Sequence, residues 1–266
     1  MKNIEFAHKH ALISGGSSGI GLALAKQFMA LGSHVSILAR RVEGLENAVQ
    51  EIESARVHPQ QEIKAISADV SNFKALEKAL AQPRKTVHFL INSAGIAYPG
   101  EFEKLEQEIF KQVMDVNYLG TINLTKIIVP EMIENHQGNI VNISSLAAVI
   151  GIYGYTAYAP SKYAIRGFSR CLRAEMVSKG ISVSLVLPPD TDTPQLAFEH
   201  TILPEITKKI NQNGGVLSAE SVAKTIIKGV QRKKFTIIPG IEGKFLYLFA
   251  PIIGRYFYRF AINQQK

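Results

Sequence analysis

Short apolar runs recur along this chain, with stretches of helical spacing between them. "HALIS" (10–14) and "HVSILA" (34–39) come first, and "EIKAIS" (62–67), "VHFLI" (87–91), "NIVNI" (139–143), "ISVSLVL" (181–187) and "FTII" (235–238) follow. Each run has the length of a strand and reads as one buried in a core. Between them, "LALAKQFMALG" and "VEGLENAVQEIE" place apolar residues at helical intervals. Strand alternating with helix predicts an α/β fold. The expectation is a single Rossmann-type doubly wound domain, with a mostly seven-stranded parallel sheet and helices on both faces. A ligand of such a sheet binds where the strands end at their carboxyl termini.

Composition narrows the function classes. The chain has 266 residues, 46% of them hydrophobic, which suits one large core, and residues 1–240 are expected to form it. A net charge of +8 invites a nucleic-acid reading. Residues 224–266, however, hold nine basic residues against Glu242 alone, while the remainder is balanced. The body is neutral, the tail is basic, and no recognition-helix or RNA-stacking motif accompanies it, so no nucleic-acid partner is expected. The single cysteine, Cys171, excludes an internal disulfide. The seven histidines show no zinc-like spacing, and His8 and His10 are expected at the surface, so no metal is expected. "MKNIEFAHKH" contains no apolar stretch of signal-peptide length, which predicts a cytoplasmic location.

The first strand run leads directly into "GGSSGIG" and then a helix. Gly15, Gly19 and Gly21 would allow a tight turn, close approach of a pyrophosphate and close helix packing, with the helix amino terminus facing the anion. Alone, such a cluster is most often only a turn. The second strand run ends in Arg40 and Arg41, where a site for NAD usually carries an acid. Cations there favour a 2′-phosphate and hence NADPH, Arg40 being nearer the strand end. A second constellation lies in "IYGYTAYAPSKYAI" (152–165), with four tyrosines and one lysine. Only Tyr158 has a lysine four places on, Lys162, which puts both side chains on one helical face.

These residues resemble the short-chain dehydrogenase/reductase family from about residue 8 to about 240. "SGGSSGIG" is similar to its cofactor loop, with Ser14 where threonine is usual, and "NSAG" (92–95) to its N-N-A-G element. Asn117 in "DVNYLGT", Ser145, Tyr158 and Lys162 fall on its catalytic tetrad. Within the family, "GYTAYAPSKYAIRG" followed by "LPPDTDTP" resembles the 3-ketosphinganine (3-ketodihydrosphingosine) reductases. The resemblance implies an NADPH-dependent reductase of a lipid ketone. Cofactor contacts are then expected from Gly15, Ser17, Ser18, Gly19, Ile20 and Gly21 in the loop. Arg40, Asp69 and Val70 would flank the adenosine end, with Asn92, Ala94 and Gly95 beside the fourth strand. Pro188, Thr191 and Thr193 complete the set together with Tyr158 and Lys162. Asp69 has a rival reading as a helix cap. The family also implies a dimer or tetramer, pairing through helices near 103–135 and 157–178.

In this reading Tyr158 gives a proton to the ketone oxygen, and Lys162 lowers the cost of ionising it. Ser145 donates a hydrogen bond to that oxygen, and Asn117 holds a proton-relaying water. Ser144 is expected to bond to backbone. Pro160 is compatible with a helix that opens at Tyr158, because a first-turn residue needs no amide donor. The run "LAAVIGIYGYTA" suggests an apolar substrate wall, with Leu146, Ile152 and Tyr153 as candidates. Asp190 or Asp192 would pair with the ammonium next to the ketone of a ketosphinganine, although Asp192 also reads, and more readily, as the cap of a helix starting at Pro194. A ketoreductase for a steroid, retinoid, fatty acyl or other small carbonyl remains open, as does a noncatalytic NADPH-binding module.

Residues 241–266 extend past the usual end of such a fold. Within residues 243–266 the longest uncharged run, Phe245 to Gly254, is ten residues, about half a membrane span. If helical, this segment gathers Lys244, Arg255 and Arg259 on one side and leaves Phe245, Phe249, Ile253, Phe257 and Phe260 a broad face. That face fits a peripheral contact with a bilayer interface, or a cover over the substrate cleft or a neighbouring subunit. Pro251 and Gly254 predict a kinked or two-piece segment.

Overall fold

The computed structural model describes residues 4–81, 84–211 and 215–263. Seven parallel strands form the central sheet: β1 (His10–Ser14), β2 (His34–Ala39), β3 (Ile63–Ser67), β4 (Phe89–Asn92), β5 (Gly138–Ile143), β6 (Ile181–Val186) and β9 (Thr236–Ile237). Their order is β3-β2-β1-β4-β5-β6-β9, so the direction of winding reverses beside β1. That reversal opens a crevice between the loops that follow β1 and β4. Ser14 is level with Leu38 on one side and with Asn92 on the other, which brings the ends of β2 and β4 to the same height. A separate pair, β7 (Thr191–Asp192) with β8 (Leu217–Ser218), ties the loop after β6 to the segment before α9 (Ala219–Gln231).

Successive side chains of β1 serve opposite faces, as strand geometry requires. Ala11 and Ile13 pack toward α1 (Gly19–Ala30), α2 (Val42–Glu53) and α9, where Phe28 and Phe89 meet with ring centroids 5.0 Å apart. Leu12 packs toward α3 (Phe73–Leu80), α5 (Gly120–Glu134) and α6 (Tyr158–Met176). Between α4 (Gln107–Met114) and α5, residues Asp115–Leu119 form a π-helical turn, and Asn117 lies buried at its centre. After β6 the chain forms α7 (Pro194–Ile202) and α8 (Glu205–Asn211) above the carboxyl end of the sheet. Thr193 caps α7, accepting from the Leu196 amide at 3.2 Å, and Pro194 stands at the first helical position, where no amide donor is needed.

Three expectations change here. His10 is buried rather than at the surface, because as the first residue of β1 its ring bonds to the Lys85 carbonyl and Ser36 Oγ while its amide donates to His88 Nδ1. Asp192 is exposed and does not cap α7, since Thr193 does. The tail forms one uninterrupted helix, α10 (Ile241–Asn263), instead of two pieces. A proline removes one amide donor, and the helix continues through it. The side chains of Phe257 and Phe260, and residues 264–266, lie outside the described residues.

Candidate active site

The sheet ends in a cavity of about 1220 Å³. Its first wall is the loop after β1. Gly15 and Gly19 have φ of +67° and +54°, a left-handed backbone that favours glycine, and a Cβ at Gly15 would stand 2.8 Å from the Ala94 amide nitrogen. A Cβ on Gly21 would come within 2.2 Å of the Gly15 carbonyl oxygen. The loop therefore lies bare against its neighbours, with the amino end of α1 open to the cavity and Ser18, its cap, making no side-chain cap bond. Ser14 fixes this arrangement: its Oγ accepts from the Ser93 and Ala94 amides at 3.1 and 3.2 Å. Such a bare loop at a helix amino terminus suits a dinucleotide pyrophosphate. Ser17, Ile20, Arg40, Asp69, Val70 and Gly95 also line the cavity, as do Pro188, Thr191 and Thr193.

Arg40 Nη1 is 3.9 Å from Asp69 Oδ2, both being partly exposed. Asp69 accepts from the amide and hydroxyl of Ser71, while Asn72 caps α3, so Asp69 is not the cap. Asn92 differs from its expected place, lying beneath the cavity instead of in its wall. Its amide donates to Asn142 Oδ1 at 2.8 Å and Thr125 Oγ1 at 3.1 Å, and its own Oδ1 is buried without a hydrogen-bond partner among the described residues. The period of the strand explains this, since Asn92 points between β5 and α5 while Ser93 and Ala94 turn toward the cavity.

The tetrad residues converge at the centre. Tyr158 opens α6, which places Pro160 in the first turn. One turn on, Lys162 is buried, with Nζ donating to the Ile143 carbonyl at 3.2 Å and lying 5.4 Å from the Tyr158 ring centroid. Ser145 and Gln195 stand beside the Tyr158 phenol, and Ser145 Oγ accepts from the Ala147 amide at 3.1 Å. Ser144 donates to the Lys162 carbonyl at 2.8 Å. Asn117 is fully engaged. Its amide donates to the Ile96 carbonyl and Ser161 Oγ, both at 2.9 Å, and its Oδ1 accepts from the Ile96 amide at 2.8 Å. A Cβ built on Gly95 would lie 3.3 Å from Asn117 Oδ1 and 3.4 Å from Lys162 Nζ, so the three groups meet at one point.

Burial dominates the charges. It lowers the Lys162 ammonium to about 8, partly offset by the negative charge of Glu199. Burial also raises the Tyr158 phenol above its ordinary value, and Glu199 adds to the rise, whereas the Ser145 and Gln195 hydrogen bonds act against it. The sequence pairing of Tyr158 with Lys162 predicts a lowered phenol. Desolvation wins over that pairing, and the phenol is held in its neutral, proton-bearing form.

The remaining wall is apolar, with Leu146, Ile150 and Ile152 facing Phe245, Leu246 and Ile253 of α10. Asp190 reaches the cavity and is half-buried, its carboxyl raised by desolvation. Tyr153 does not reach it: Gly154, at φ +80°, reverses the backbone, and the Tyr153 hydroxyl turns away to Glu101 at 3.3 Å. Tyr155 lines the wall instead. Its hydroxyl donates to Glu199 Oε2 at 2.7 Å. Glu199 is the site residue that sequence reasoning missed; the only signal was an acid one turn and a half into the helix that begins at Pro194.

Comparisons with known proteins agree with this geometry. A family model described as short chain dehydrogenase matches residues 9–201. A 3-dehydrosphinganine reductase of Danio rerio is 37% identical over 239 residues, covering 88% of this chain and 72% of that protein. A 3-dehydrosphinganine reductase of Arabidopsis thaliana is 39% identical over 237 residues, with coverage of 88% and 70%. A solved short-chain dehydrogenase from Streptomyces avermitilis superimposes with a TM-score of 0.79 at 25% identity, covering 94% of each chain.

Proposed function

Because the chain belongs to the short-chain dehydrogenase/reductase family, we propose that it reduces the ketone of 3-ketosphinganine to the alcohol of sphinganine, with NADPH as the reductant. It is an oxidoreductase of the nicotinamide-dependent kind, and the two curated relatives described above are 3-dehydrosphinganine reductases. The observation that carries the reading is that Ser145, Tyr158 and Lys162 line one cavity together with an apolar wall built from Leu146, Ile150, Ile152, Leu246 and Ile253. Residues 1–240 would hold the cofactor and the chemistry, and residues 241–266 would complete the lipid side.

The glycine loop, Asp69, Val70 and the segment from Pro188 to Thr193 would hold the cofactor, with Arg40 beside the 2′-phosphate. When bound, the cofactor supplies a hydride to the carbonyl carbon. Ser145 donates to the ketone oxygen, so a fixed dipole stands where negative charge grows. Tyr158 gives its proton to that oxygen, and the ammonium of Lys162 offsets the phenolate left behind. Asn117 positions the 95–96 turn against Lys162. Turnover of 3-ketosphinganine should exceed that of β-ketoacyl thioesters and steroid ketones by at least roughly tenfold in kcat/KM. Preference for either rival class would overturn the substrate assignment.

The same reading gives α10 a second surface. Leu248 and Ile252 are each 71% exposed, and Tyr256 stands beside them, while Leu246 and Ile253 face inward. Among the described residues no helix is long and apolar enough to cross a membrane. The outer face would instead rest in a membrane interface at the cytoplasmic surface, with Lys244 and Arg255 toward anionic headgroups. Full-length protein should co-sediment with phosphatidylserine vesicles, and the Leu248→Glu, Ile252→Glu double variant should not. Equal binding by both would remove this role. Self-association through α5 and α6 is the assembly we infer, and sedimentation showing only monomer at micromolar concentration would contradict it.

A further inference from the structure

Glu199 is 6% exposed, lines the cavity, and is held at both oxygens: Tyr155 donates to Oε2 at 2.7 Å and Gln195 Nε2 donates to Oε1 at 2.9 Å. Gln195 also stands beside the Tyr158 phenol, so the carboxylate it binds lies close to the proposed proton donor. Neither Tyr155 nor Gln195 carries charge, and among the described residues no ion pair involves Glu199. Each carboxylate oxygen retains a free acceptor site after one hydrogen bond. Burial raises the Glu199 carboxyl, with the Tyr155 and Gln195 hydrogen bonds acting against the rise, so a cation arriving beside it would favour its charged form.

We infer that Glu199 is the specificity-determining residue that receives the substrate's ammonium group. This rests on the 3-ketosphinganine reading, in which the ammonium sits on the carbon adjacent to the ketone. With the ketone oxygen on Ser145 and Tyr158, that ammonium falls on the side of the phenol where Gln195 and Glu199 stand. Asp190, less buried and without a side-chain hydrogen bond among those described, adds negative field and is not the principal partner. The pairing also has a consequence for the chemistry. The charge of Glu199 holds the Tyr158 proton, and a substrate ammonium cancels that charge, so the phenol becomes the better acid when an amino ketone is bound.

The test compares 3-ketosphinganine with 1-hydroxyoctadecan-3-one, its desamino counterpart, and sphinganine with octadecane-1,3-diol as equilibrium ligands. The wild-type protein should favour the amine-bearing member of each pair. Glu199→Gln should cut that preference by roughly tenfold or more in KM and in binding, Glu199→Asp by less, and Asp190→Asn by less than Glu199→Gln. If Glu199→Gln lowers both substrates alike and leaves the ratio unmoved, or if Asp190→Asn alone collapses it, the assignment to Glu199 is overturned while the reductase reading stands. A wild-type protein that turns over neither long-chain ketone overturns both.

Discussion

At the amino end of the sheet, polar side chains are buried and completed from within. His10 bonds to the Lys85 carbonyl and to Ser36 Oγ, both at 2.8 Å, and Gln61 donates to the Met29 and Ser33 carbonyls at 2.7 and 2.8 Å while accepting from the Val57 and His58 amides. At the carboxyl end the polar groups are equally buried but face a cavity. Among the described residues, Lys162, Tyr158 and Glu199 have only part of their bonding capacity met, and the Asn92 oxygen beneath them has no partner. One end uses burial to fix neutral groups in a scaffold. The other uses it to keep an acid, a cation and a carboxylate away from water until a ligand completes them. Changes at the first end should therefore alter stability, and changes at the second should alter chemistry.

The largest expected effect lies at the carboxyl end. Tyr158→Phe should lower kcat for ketone reduction by roughly 10²- to 10⁴-fold, the usual loss for a general acid, with cofactor affinity retained. Activity within tenfold of wild type in pure variant protein would break the contrast.

At the amino end, burial and nearby cations lower His10 from 6.5 to about 4, partly offset by its bond to the Lys85 carbonyl. The unfolded chain binds that proton more readily, so stability present above pH 6.5 is lost as the pH falls toward 4. The loss is about 3 kcal/mol at most, and denaturant melts of wild type against His10→Gln should show it shrinking in the variant. An identical pH slope in both would show that His10 is not the source.

Arg40→Ala comes next. Removing one charge-assisted contact to a 2′-phosphate should weaken NADPH by roughly 10- to 100-fold relative to NADH, measured by direct titration. A protein that already prefers NADH would show that the arginine only solvates the end of β2. The smallest effect is a pH limb. With Lys162 at about 8, its ammonium is lost as pH rises, so kcat/KM should fall about twofold between pH 7 and pH 8 and continue downward. A flat profile to pH 9.5 would place the ammonium's pKa higher.

The scaffold was largely legible, because strand length and helical period are local. The runs at 10–14 and 34–39 coincide with β1 and β2, and Val42–Glu53 with α2. The two-residue strands β7 and β8 were not legible, since their pairing depends on a loop folding back over the sheet. At the site, chain spacing located Tyr158 and Lys162 on one helix. It did not locate Glu199, whose partners Tyr155 and Gln195 become neighbours only through tertiary packing of α7 over the cavity. Tyr153 and Tyr155 differ by two positions and by one left-handed glycine, and sequence alone gave no reason to prefer the second. His10 shows the same limit at the other end, because a histidine beside a lysine and another histidine reads as surface until the sheet closes over it.

The central claim is that the carboxyl end of this sheet reduces a long-chain amino ketone. The most direct measurement is the loss of NADPH absorbance on adding 3-ketosphinganine to the full-length protein, with the product identified by mass. The account predicts one sphinganine, heavier than the ketone by two hydrogens, for each NADPH consumed, and almost none with Tyr158→Phe. No oxidation of NADPH with this substrate, or oxidation that yields no sphinganine, would contradict it.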